Sequence, residues 1–173
     1  GLMEFSKGER HIEASVSQNE GGVIKNAEDF EAYPWPDPAA GNYDRIDEWA
    51  RLLPDGARFI GMAPGGVLEN MTDLIGFEDL CFMIADEPEL VSQVAAAIGS
   101  RLYSFYERLL EFESVGAAVV NDDWGFKTQT MLSTSHMREF IFPWHKKIVA
   151  LIHHAGRPAI LHSCGNLSAV WED

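Results

Sequence analysis

Residues 115–125 read VGAAVVNDDWG, a run of small and branched apolar residues that ends abruptly in an amide, two carboxylates, a tryptophan and a glycine. A strand with one wet face alternates apolar and polar residues, and this one does not. The pattern predicts a strand buried on both faces, as in a parallel sheet covered by helices, with its polar end at the carboxyl edge. Two other stretches have the same shape: ARFIGMAPGG at 57–66 and RPAILHSCGN at 157–166. Between them lie helical patterns. Pro88, with Asp86 and Glu87 ahead of it, opens a helix predicted over 87–114. Its apolar positions Leu90, Val91, Val94, Ile98, Leu102, Phe105, Leu109 and Phe112 form one continuous stripe. A second helix is predicted over 133–155. Ser133 to Ser135 offer its cap, Gly156 follows its last turn, and Met137, Ile141, Trp144, Ile148, Leu151 and Ile152 form its inner face. Pro143 should kink it, because one amide donor is lost there.

Working outward, TDLIGFEDLCFMIA at 72–85 reads as one short apolar helix, and YDRIDEWARLLPDG at 43–56 as a helix stopped at Pro54. Residues 21–45 read as a long connection with a single helical turn, and IEASV at 12–16 as a short strand. The order is strand, helix, strand, helix, strand, with parallel strands near 57–63, 116–121 and 158–163. The predicted class is α/β, one domain over residues 1–173.

The totals exclude several functions. The chain of 173 residues has a formal net charge of −14, which disfavours nucleic acid and anionic membrane surfaces as partners. Two cysteines, Cys81 and Cys164, cannot build a disulfide framework of the secreted kind. No apolar run has the length of a membrane span, and the first residues lack the apolar core of a signal peptide, so a reducing cytoplasm is the expected setting.

Two strand tips carry the candidate chemistry. His162 and Cys164 are two residues apart, so they share a face if the strand runs through both, and a thiolate and an imidazole at that spacing suit zinc. Gly165 then allows a sharp turn. The competing reading is a core histidine and an inert thiol, which the short spacing alone favours, and two ligands alone do not hold a zinc. Asn121, Asp122 and Asp123 sit at the end of the central strand, where ligands bind in sheets of this type. Asp122 and Asp123 are the candidate catalytic carboxylates, only one of which should reach a pocket, since adjacent strand residues face opposite ways; the competing reading is an aspartate that caps the next turn. Asn121, Trp124 and Lys127 are candidate substrate contacts. His136, His145, His153 and His154 read as helix-surface residues, Cys81 as core, and the APGG at Ala63–Gly66 as a strand-end turn without phosphate-loop spacing.

The stretch from Asn121 to Asn166, with FIGMAPGGVLENMTDLIGFEDLCFMIADEPELV at 59–91 and GGVIKNAEDFEAYPWPDP at 21–38, resembles the uroporphyrinogen decarboxylase superfamily. The resemblance covers nearly the whole chain from about Gly21. It implies a (β/α)8 barrel, which takes about 250 residues. With about four strands legible, the chain is expected to be the central part of such a barrel. The superfamily has two chemistries. True decarboxylases remove carboxylates from a porphyrinogen without metal and carry an Arg-Gln-Ala-Gly-Arg signature, absent from this chain; HAGRP at 154–158 shares letters with it but lies between a helix and a strand. The other branch, cobalamin-dependent methyltransferases, binds zinc at a His-x-Cys-Gly strand tip, and His162, Cys164 and Gly165 match it. That branch implies a zinc-activated thiol as acceptor, methylcobalamin on a corrinoid protein as donor, a third zinc ligand in a later segment, a small-molecule substrate and a homodimer. On that reading Asp123 lines the pocket and orients substrate; in the decarboxylase alternative it lies near pyrrole nitrogens. A binding barrel without catalysis is the remaining alternative.

Overall fold

The computed structural model describes residues 22–173. The strand predicted at 12–16 lies outside the described residues. Helix α1 (Ala27–Ala32) is capped by Asn26, whose side chain accepts from Asp29 N, and a 3₁₀ turn at Pro38–Ala40 follows. Helix α2 (Asp44–Ala50) ends before Pro54, earlier than its apolar pattern implied. Strands β1 (Phe59–Met62), β2 (Val115–Asn121) and β3 (Ala159–His162) form one sheet in the order β1-β2-β3, parallel throughout, as predicted.

The segment read as a single helix over 72–85 is two: α3 (Val67–Ile75) and α4 (Phe77–Asp86), divided at Gly76 with φ +92°. That left-handed conformation breaks the ladder, and glycine adopts it without a Cβ clash. Helix α5 (Pro88–Leu110) is the long helix, with Val91, Val94, Ile98 and Leu102 almost fully buried. The second long helical segment is composite: α6 (Thr134–His136), a π-helical turn (Met137–Ile141), and α7 (Phe142–His154). Pro143 has no amide hydrogen to donate, and the wider turn stands immediately before it. Ser133 caps this segment, its hydroxyl accepting from His136 N. Cys81, expected in the core, is exposed on α4, whose inner face is taken by Leu80, Met83 and Ile84.

Helices α3 and α7 both pack on α5, and α5 and α7 cover one face of the sheet. The register places Met62 beside Val119, Val119 beside Ile160, and Asn121 beside His162. On this second face Ile60, Met62 and Ile160 are exposed. The sheet is therefore an open α/β layer, with β1 and β3 as its edges among the described residues. No helix among the described residues is long and apolar enough to cross a membrane.

Tyr106 ties β2 and the carboxyl end of β1 to α5. Its hydroxyl donates to Val119 O at 2.6 Å and accepts from Ala63 N at 3.2 Å, and burial pushes its pKa up to about 12. Tyr106→Phe removes both bonds and leaves a buried amide without its partner. The expected loss is about 1–2 kcal/mol, read as a lower urea midpoint with an unchanged slope; an unaltered midpoint contradicts the role.

Candidate metal centre at the strand tips

The carboxyl ends of β2 and β3 carry the polar residues, and alternation along β2 sorts them. Asp122 turns into the helix layer and is fully buried. One of its oxygens accepts from Glu69 N at 2.9 Å; the other accepts from Leu68 N at 2.9 Å and from His145 Nε2 at 2.8 Å. The two amides belong to the first turn of α3, where helix amides have no intrahelical acceptor and where negative charge is favoured. Gly66 makes the approach possible: a Cβ there would lie 2.3 Å from Asn121 O and from the Asp122 side chain. A carboxylate only accepts, so His145 carries its hydrogen on Nε2.

His145, read from sequence as a helix-surface residue, is thus a buried partner of Asp122. The step that brings β2 and α7 together lies in the fold, not in local spacing. Trp124 also turns inward, edge-on to Phe142 and His145 at 5.0 and 4.9 Å between ring centroids. Its amide donates to Ser163 Oγ. Lys127 is exposed in the turn closed by the Gly125–Thr130 bridge and does not line the strand-tip cavity. The structure therefore does not bring Asp122, Trp124 or Lys127 into a common site with His162 and Cys164.

Asp123 points the other way. Its Oδ1 accepts from Cys164 N at 3.1 Å, and Cys164 Sγ lies 3.9 Å from His162 Nε2. One ligand atom from each of Asp123, His162 and Cys164 falls within 4.8 Å of the others. The sequence suggests Asp123 as a pocket residue that orients substrate rather than a metal ligand; the fold puts its carboxylate beside the metal pair. The loops that carry these residues touch through backbone. Asn166 N donates to Phe126 O at 2.8 Å, and a Cβ on Gly165, at φ +84°, would stand 2.0 Å from Gly125 O. Only glycine fits there.

The donor set is one thiol, one imidazole and one carboxylate. That mixture of sulfur, nitrogen and oxygen suits zinc and is poorly matched to magnesium or calcium, which take oxygen ligands. Ligand atoms about 2.0 and 2.3 Å from a tetrahedral zinc stand roughly 3.5 Å apart, close to the 3.9 Å between His162 Nε2 and Cys164 Sγ. Asp123 and His162 line a cavity of about 540 Å³ with Met62, Glu69, Val119, Asn121 and Ile160. Glu69 is the residue that the strand-tip reading missed. It lies in the first turn of α3, and its Oε2 accepts from Gly66 N at 2.9 Å and from Asn121 Nδ2 at 3.3 Å. Burial, and then the charges of Asp122, Asp123 and Asp73, push its pKa up. The available signal was a glutamate three residues after the glycine turn, the spacing of a capping box.

The chain belongs to the uroporphyrinogen decarboxylase (URO-D) family, whose sequence model matches residues 13–173. No curated protein and no solved structure matches the chain significantly. The family is one of enzymes, and the open parallel α/β sheet is consistent with part of its barrel fold.

The Cys164 thiol is held above its ordinary pKa, first by hydrogen bonding to the Asp123 carboxylate and then by that group's charge. In the metal-free protein, Asp123→Asn removes the charge and lowers the thiol pKa, so more thiolate is present at pH 8. In a Cys81→Ser background, iodoacetamide should alkylate Cys164 faster in Asp123→Asn by about three- to tenfold. An equal or slower rate contradicts the coupling.

Proposed function

We propose that this chain carries the zinc site of a methyltransferase that moves a methyl group from a methylated corrinoid protein to a small thiol acceptor. The observation that carries this reading is the convergence of Asp123, His162 and Cys164 at the tips of two adjacent strands. His162 and Cys164 would hold the metal, with Asp123 as a third donor within reach. Zinc bound there would keep an acceptor thiol as its thiolate at neutral pH.

The chain's own groups prepare the site. Asp123 fixes the β3 loop through the Cys164 amide, so the thiol and the imidazole stay on one side. Met62, Val119 and Ile160 offer apolar surface beside the site, along which the acceptor's carbon atoms can lie. Gly165 keeps the loop flush against Gly125.

The name-giving reaction of the family, removal of carboxylates from a porphyrinogen, is the second reading. It rests on family membership. A polyanionic substrate needs focused positive charge. None of the described residues lining the cavity is a lysine or an arginine, which favours the first reading.

Zinc content separates the two. The full chain, purified without chelator, should hold close to one zinc per chain, and Cys164→Ala and His162→Ala should each lose most of it. Two-ligand remnants bind zinc weakly, so losses of tenfold or more in affinity are expected. Wild-type protein that takes up no zinc and releases carbon dioxide from a porphyrinogen contradicts the proposal.

A further inference from the structure

The hydrogen-bond ladder between β2 and β3 opens at the candidate metal centre and closes again beyond it. Up to the strand ends it is regular: Ala118 N donates to Pro158 O at 3.1 Å, and Asp122 N to His162 O at 3.0 Å. Rungs of a parallel pair are evenly spaced and recur at alternate residues, so the next should join Trp124 N to Cys164 O. A side chain takes its place. Trp124 N donates to Ser163 Oγ at 3.0 Å, and that hydroxyl donates to Cys164 O at 3.2 Å. One oxygen thus occupies the rung, accepting from one main chain and donating to the other. Cys164 N turns out of the ladder and donates to the Asp123 carboxylate at 3.1 Å.

The opening is confined to this stretch. Beyond Cys164 the chains meet again: Asn166 N donates to Phe126 O at 2.8 Å, and Asn166 Nδ2 to Thr128 O at 3.3 Å. A strand pair that merely frayed at its ends would not rejoin. The opened residues are those that carry Asp123 and Cys164, and the bridge comes from Ser163, which stands between His162 and Cys164 in the chain.

We propose that Ser163 is a positioning residue of this centre: its hydroxyl holds the two main chains one oxygen atom apart, so that the Cys164 amide meets the Asp123 carboxylate and the Cys164 thiol stays beside His162. Asp123 then has one oxygen fixed by the Cys164 amide and the other left for a ligand. Without the hydroxyl, Trp124 N is either unpaired or bonded directly to Cys164 O, and both changes shift Cys164 against Asp123. The inference deepens the proposed function and rests on its metal site, but the contact between Cys164 and Asp123 belongs to the metal-free chain as well.

The test compares Ser163→Ala with Ser163→Thr, which keeps a hydroxyl, in the full chain carrying Cys81→Ser as parent. The first probe is zinc alone, titrated in competition with a chelator. Ser163→Ala should weaken zinc binding by about tenfold or more, the scale of losing a group that orients a metal ligand, while Ser163→Thr stays within about threefold of the parent. The second readout uses no metal: iodoacetamide alkylation of Cys164 with and without Asp123→Asn. The rate increase of about three- to tenfold that Asp123→Asn gives in the parent should shrink to near unity in Ser163→Ala and persist in Ser163→Thr. An undiminished increase in Ser163→Ala, no increase in the parent, or Ser163→Thr as impaired as Ser163→Ala overturns the positioning role. Zinc held equally by all three proteins overturns this inference alone. A parent that takes up no zinc, but loses the alkylation coupling in Ser163→Ala, overturns the metal reading alone.

Discussion

The arrangement hangs on one buried carboxylate. Asp122 is removed from water, and an ionised carboxylate in that position is tolerated only when its oxygens are fully engaged. Two amides of α3 and the His145 ring engage them. Those three contacts join the tip of β2 to the start of α3 and to the first turn of α7. The strand is thereby fixed in rotation as well as in position. With Asp122 turned into the helix layer, its neighbours Asn121 and Asp123 must face the open side of the sheet, beside His162. Glu69 is carried there too, because α3 starts where Asp122 holds it. One carboxylate thus shapes the site without belonging to it.

The fold was largely legible because its signals are local. Non-alternating apolar runs marked β1, β2 and β3, and the three- and four-residue stripe from Leu90 to Leu109 marked α5. What failed was also local in origin. Gly76 sits inside an apolar pattern that continues on either side of it, so periodicity alone ran α3 and α4 together; only the positive φ separates them. Cys81 has apolar neighbours in sequence, but its side chain lies at the exposed edge of α4, while Leu80, Met83 and Ile84 are buried.

The site was legible only where the strand period applied. His162 and Cys164 follow from a spacing of two, and alternation rightly said that Asp122 and Asp123 part company. Which of the two turns inward depends on α3 and α7, 54 and 23 residues away, and no spacing encodes that. His145 was missed for the same reason. Its chemistry comes from a partner on another element, and a lone histidine in a helix gives no sign of it. Glu69 offered a weak sign, the capping spacing after Gly66, but its proximity to Asn121 is a product of the tertiary structure.

The metal reading stands or falls on whether Cys164, His162 and Asp123 act as one set of zinc donors. X-ray absorption at the zinc edge of the loaded full chain tests it most directly. Zinc held by these donors has a shell containing a sulfur at about 2.3 Å together with nitrogen and oxygen at about 2.0–2.2 Å. The sulfur contribution should vanish in Cys164→Ala and persist in Cys81→Ser. A shell of nitrogen and oxygen alone in the wild-type protein, or one that is unchanged in Cys164→Ala, would contradict it.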